Sequence, residues 1–207
     1  MANGTLKVSN IQTSSGSGTI TIGQSGETVT IPSGCTISNS GTSTGFGGVN
    51  TPSFMAYFGS AVNPSNDTNT DAAYDTEVFD VGGCYNNTSG TVTLNGISTP
   101  AYSFAPNEAG KYLVFAVLRF GSDSSRPAFD QTQIRLRKNS SDCANQILST
   151  YSSYYIDAFN LPLTTIVEAN GTSDTFKMDY YLSVETGTIT VYSGQHQTYF
   201  GAYKIIE

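Results

Sequence analysis

The chain has 207 residues, of which 38% are hydrophobic and only 12% charged, about half the charge of an average soluble domain. It holds 21 glycines, 13 tyrosines, 11 phenylalanines and no tryptophan, a composition that favours turn-rich β structure over helices. The net charge of -7 repels phosphate backbones and anionic lipid alike, which argues against nucleic-acid binding, and no apolar run approaches the ~18 residues of a membrane span.

Met1 to Thr5 carries neither the basic cluster nor the apolar run of a secretory signal, so folding in a reducing cytoplasm is expected. Cys35, Cys84 and Cys143 then read as small buried thiols, and their spacing matches no metal motif. Up to residue 50 the only charged side chains are Lys7 and Glu27, and the only aromatic is Phe46. This break in composition predicts two regions, 1–48 and 49–207, with different roles. In the first, Thr19-Ile20-Thr21-Ile22-Gly23 is echoed by Thr28-Val29-Thr30-Ile31-Pro32 and more loosely by Cys35-Thr36-Ile37-Ser38. Threonine out and Ile or Val in is the period of a one-faced strand, with corners at Gly23 to Gly26 and Pro32-Ser33-Gly34. So narrow a stripe cannot build a dry core alone, and other copies are expected to cover it in an intertwined β-stalk or anchor. A Gly/Ser hinge follows at residues 39–48. Within it Gly41-Thr42-Ser43-Thr44-Gly45 matches the spacing of a hydrolase nucleophile elbow without the strand-to-helix setting that activates the serine, so no catalytic residue is assigned.

Beyond residue 50 the expected strands are 54–58, 76–81, 91–94, 111–120, 133–137, 164–167, 175–184, 188–192 and 198–206. Their number and spacing predict an all-β, antiparallel two-sheet sandwich of jelly-roll size. Asp67, Asn69 and Asp71 stand at the first three ligand spacings of a calcium loop, but Ala72 replaces its turn glycine and Val78 its bidentate glutamate. Calcium is thus the one cofactor weighed, against a solvated polar loop. Asp75 and Glu77 read as one wet strand face. Tyr112 to Leu118 is apolar without alternation, so both faces of that strand are expected to be buried, the outer one by an identical neighbour. Arg135 and Arg137 alternate with Ile134 and Leu136; they fit a solvated face, acids of a neighbouring subunit or an anionic glycan. Tyr151, Tyr154 and Tyr155 combine flat apolar area with hydroxyls, suited to packing or to recognition of a host-surface glycan or protein. The single histidine, His196, is expected in a hairpin turn.

The run Phe54-Met55-Ala56-Tyr57, then Tyr74-Asp75-Thr76-Glu77-Val78-Phe79-Asp80 leading into Gly82-Gly83-Cys84-Tyr85-Asn86, resembles the first strands of the complement globular-head jelly roll, the fold shared with tumour-necrosis-factor-like cytokines. The likeness continues through Tyr102-Ser103-Phe104-Ala105-Pro106, Gly110-Lys111-Tyr112-Leu113-Val114-Phe115, Leu136-Arg137-Lys138-Asn139 and Phe200-Gly201-Ala202-Tyr203-Lys204-Ile205. It implies a homotrimer with Phe54, Tyr57, Tyr112, Phe115, Phe200 and Tyr203 in the core or the trimer interface, and it implies binding, not catalysis. The first region resembles amino-terminal segments of marine bacteriophage structural proteins, from Lys7-Val8-Ser9-Asn10-Ile11-Gln12-Thr13 through Gly16-Ser17-Gly18-Thr19-Ile20-Thr21-Ile22-Gly23 to the Gly-rich linker. Together the two imply a virion protein assembled in the host cytoplasm. It would be a trimeric fibre or spike with a head for host attachment, joined to other virion proteins through residues 1–48. A capsid decoration protein of the same fold is the alternative; a secreted recognition module or a glycan-degrading enzyme fits less well.

Overall fold

The computed structural model describes residues 9–12, 18–38, 40, 50–121, 128–150 and 156–205. Contacts divide the chain into two units, Met1–Phe46 and Gly47–Glu207.

In the first unit the corners form as the sequence predicts. Glu27 N donates to Gln24 O at 3.0 Å and Cys35 N to Pro32 O at 3.1 Å, while Gly23, Gly26 and Gly34 take φ of 82°, 88° and 86°, where only glycine is unstrained. The expected strands between the corners are corrected, because the described residues 18–38 contain none. Alternation supplies the faces of a strand but not its ladder, and among the described residues no backbone partner lines up beside Ile20, Ile22, Val29 or Ile31, all of which are exposed.

The second unit is built from β1 (Ser53–Tyr57), β2 (Thr68–Asp71), β3 (Thr76–Val81), β4 (Val92–Leu94), β5 (Ile97–Thr99), β6 (Ser103–Phe104), β7 (Ala109–Gly121), β8 (Ala128–Lys138), β9 (Ser141–Ser149), β10 (Ala158–Asn170), β11 (Phe176–Thr186), β12 (Thr190–Val191) and β13 (Tyr199–Lys204). The first sheet runs β10-β7-β13-β1-β3, with β12 on β7; the second runs β2-β11-β8-β9, with β6 on β11; β4 and β5 pair apart as a hairpin. Every pairing is antiparallel. This is the jelly-roll sandwich the sequence predicts. Its core is aromatic: Phe54 stacks on Phe104 at 4.8 Å between ring centroids and meets Phe200 edge-on at 4.9 Å, and Phe120 meets Tyr180 edge-on at 5.8 Å. Each buried phenylalanine stabilises the folded state by about 2–3 kcal/mol relative to exposure.

Four strands escape the sequence reading: β5 and β6 are too short to show a pattern, and β2 and β9 are mostly exposed and held by their ladders. β9 returns from β8 through a two-residue turn at Asn139 and Ser140, with φ of 48° and 75°. β10 is much longer than 164–167 and includes Pro162, which an edge strand tolerates because the missing N–H faces away from the ladder. The expectation of three buried thiols is also corrected. Only Cys84 is buried, whereas Cys35 and Cys143 are exposed.

Candidate interaction surface

The outer face of the first sheet is assembled by register. Leu113, Phe115 and Val117 of β7 lie beside Tyr203, Gly201 and Tyr199 of β13, which lie in turn beside Ser53, Met55 and Tyr57 of β1. Phe79 of β3 continues the row beyond Met55, and Ile166 of β10 pairs with Leu113 on the other side. Gly201 leaves room for an aromatic ring: a Cβ there would lie 2.5 Å from Phe115 Cζ. Over it Phe115 stacks against Tyr203 at 6.0 Å, and Phe79 approaches Tyr203 at 5.8 Å. The face remains open to solvent, with Leu113 38%, Tyr203 37% and Ile166 58% exposed. Within the single chain, then, only one face of Tyr112 to Leu118 is buried, and the outer one is the face for which a neighbouring copy is expected. Tyr112, Val114, Ala116 and Leu118 enter the core, but the opposite face of β7 belongs to the outside of the two-layer sandwich and has no third layer among the described residues of the second unit.

The six residues implied as core or trimer interface divide accordingly. Phe54, Tyr112 and Phe200 are fully buried inside the sandwich, whereas Tyr57, Phe115 and Tyr203 lie on the outer face. The resemblance did not single out Met55, Val117, Tyr199 or Ile166. The signal that could have found several of them is apolar residues in both phases of one strand, since a strand facing water on one side keeps one phase polar.

The outer face of the second sheet is polar and satisfied within the chain. Asp179 of β11, only 2% exposed, accepts from Arg135 Nε at 2.7 Å and from Arg137 Nη1 at 3.1 Å. Asp142 sits 3.0 Å from Arg137 Nε as an ion contact, without an aligned hydrogen bond. Arg135 and Arg137 thus each pair with an acid of their own chain. At one corner Asp174 accepts from Asn139 Nδ2 at 2.7 Å and Asn170 N at 2.8 Å, with Lys138 Nζ at 2.9 Å. Burial alone raises its pKa, but these hydrogen bonds and the Lys138 charge outweigh it and hold the carboxyl below the usual range.

The residues weighed for calcium lie in the same region. Asn69 and Asp71 are on strand β2, and each of the three is engaged separately: Tyr181 OH donates to Asp67 Oδ1 at 3.0 Å, Arg135 Nη2 to Asn69 Oδ1 at 2.6 Å and Lys177 Nζ to Asp71 Oδ1 at 2.6 Å. Asn69 and Asp71 alternate along the strand, about 6.8 Å apart, and Asp67 stands in the turn before it. Among the described residues no group of acids, histidines and cysteines has the geometry of a metal site. Tyr151, Tyr154, Tyr155 and Ser43 lie outside the described residues. His196 is exposed, with its Nε2 2.9 Å from Gln197 Nε2. Cys84, beside Asp80 Oδ1 at 3.1 Å, has its thiol pushed far up by burial and by that carboxylate, the opposite of an activated nucleophile.

No protein-family model and no curated protein matches the chain. Among solved structures, murine APRIL at pH 5.0 is similar with a TM-score of 0.49 and 10% identity, over 74% of this chain and 98% of that one. Eiger TNF from S. frugiperda is similar with a TM-score of 0.46 and 14% identity, over 74% and 93%.

Proposed function

We propose that this chain is a bacteriophage virion structural protein whose residues 49–207 form a homotrimeric head for host attachment, while residues 1–48 join it to other virion proteins. The observation that carries the reading is the outer face of the first sheet, where Met55, Tyr57, Leu113, Phe115, Val117 and Tyr203 stand on one side of adjacent strands with no cover. A monomer rarely leaves such a contiguous face open, and copies arranged around an axis bury it. The one-faced repeat of Ile20, Ile22, Val29 and Ile31, exposed in the single chain, supports the same association in the first unit. The virion role rests on the resemblance of that unit to phage structural segments. Assembly in the host cytoplasm follows from it.

Sedimentation of the full chain at micromolar concentration is expected to give three times the chain mass, and a monomer overturns the trimer. Virions made with a chain lacking residues 1–48 are expected to contain none of it by mass spectrometry. Incorporation at the normal copy number would replace the anchor reading with attachment through the head, as in a decoration protein.

A further inference from the structure

Among the described residues, one arginine of the head has no carboxylate beside it. Arg135, Arg137, Lys138, Lys177 and Lys204 each have a carboxylate within 4.0 Å, while Arg119 has none among the described residues. Its guanidinium carbon lies 5.3 Å from the centroid of the Tyr192 ring, and its Nε is buried without a hydrogen-bond partner. Beside it is a cavity of about 160 Å³, lined by Arg119, Ala158, Phe159 and Asn160, with Asn160 directly opposite Arg119 in the ladder. Arginine presents a fork of donors suited to a carboxylate, and a half-buried guanidinium without one is costly.

The complementary charge lies at the far edge of the same sheet. Asp75, just before β3, is exposed; Gly59 N and Thr76 Oγ1 both donate to its Oδ1, which leaves Oδ2 open among the described residues. The two charges stand at one height. Arg119 N donates to Thr198 Oγ1, Phe58 N donates to Thr198 O, and the next residue, Gly59, donates to Asp75, so a single row of hydrogen bonds crosses the sheet between them. Between these edges lies the uncovered apolar face. A closed ring of three must join two different patches of each copy, and an axis running along the strands brings together points of equal height.

We propose that, in the trimer, Asp75 of a second copy enters the Arg119–Asn160 cavity and its carboxylate pairs with the Arg119 guanidinium. This rests on the trimeric reading and adds the direction of packing: the β3 edge of each copy lies against the β7–β10 side of the next.

The test is a charge exchange in the full chain, read by sedimentation and by far-ultraviolet circular dichroism. Arg119→Glu and Asp75→Arg are each expected to raise the concentration at which trimers dissociate by about tenfold or more at low salt, and the double exchange to bring it back to within about threefold of the unmodified chain. Should a reversed charge prevent folding, the neutral pair Arg119→Gln and Asp75→Asn gives the same answer: the double variant is expected to be no weaker than either single one. Single exchanges that leave a stable wild-type-like trimer overturn the pair while the trimer stands. Weakened singles with no recovery in the double show that the carboxylate comes from elsewhere, which also overturns it. A monomeric unmodified chain removes both this pair and the trimeric reading.

Discussion

The two sheets of the head turn opposite outer faces to their surroundings. On the second, Asp179 between Arg135 and Arg137, Lys177 beside Asp71, and Asp174 inside its ring of donors leave charge matched by charge within one chain. On the first, Tyr203, Leu113 and Ile166 stand exposed around a half-buried Phe115. A polar face is complete in the monomer because water and counter-charges satisfy it. An apolar face of this extent gains only by meeting more apolar surface, at roughly 25 cal/mol for each Å² removed from water. The difference therefore marks the side of the sandwich on which the proposed trimer would pack.

The sharpest way to break the comparison is Phe115→Asp. A carboxylate forced into a covered apolar face costs several kcal/mol, so the oligomer is expected to be lost at micromolar concentration while the strands persist by circular dichroism. An unchanged sedimentation profile would mean that this face stays open in the assembly. The counterpart on the polar face is Asp179→Ala, which strands two arginines and is expected to lower unfolding stability by about 2–4 kcal/mol in urea without altering the oligomer. Should it dissociate the assembly instead, the division of labour between the faces is wrong.

Asp174→Asn is expected to cost about 1–2 kcal/mol at neutral pH, through weakened charged hydrogen bonds. The carboxyl has a lowered pKa in the folded state, so its stabilisation is complete above the unfolded value near 4 and fades as pH falls through the folded value. Melting between pH 5 and pH 3 should consequently decline more steeply in the unmodified chain than in the variant. Parallel curves would remove Asp174 as a source of acid sensitivity. Lys177→Ala, which removes a pair whose Asp71 partner is nearly half exposed, is expected to change stability by less than about 1 kcal/mol. A loss well above that in the same urea titration would show the surface pairs to be coupled.

The contrast was partly legible beforehand. β7 and β11 declare themselves by long apolar or aromatic runs, and the unbroken stretch from Tyr112 to Leu118 signals a strand whose outer phase is not meant for water. What the sequence conceals is pairing over distance. Arg135 and Arg137 look like an ordinary wet face until β8 lies beside β11 and brings Asp179, more than forty residues away in the chain, between them. Thr68-Asn69-Thr70-Asp71 looks like a loop because nothing in it is apolar; it forms a strand because β11 offers its edge. Strand β9 is hidden for the same reason. The first unit shows the reverse case, in which perfect local alternation does not make a strand where no ladder partner is at hand.

Cys84 gives the head a clock of its own. Thiol reagents attack the thiolate, and Cys84 is both shielded and held protonated next to Asp80, whereas Cys35 and Cys143 stand in the open. An alkylating agent should add two labels to the native chain quickly and the third only when the corner between β3 and β6 parts, since Ala105 N is bonded to Cys84 O there. The arrival of that third mass increment thus times the opening of the sandwich at one named corner, at whatever state of assembly the solution holds.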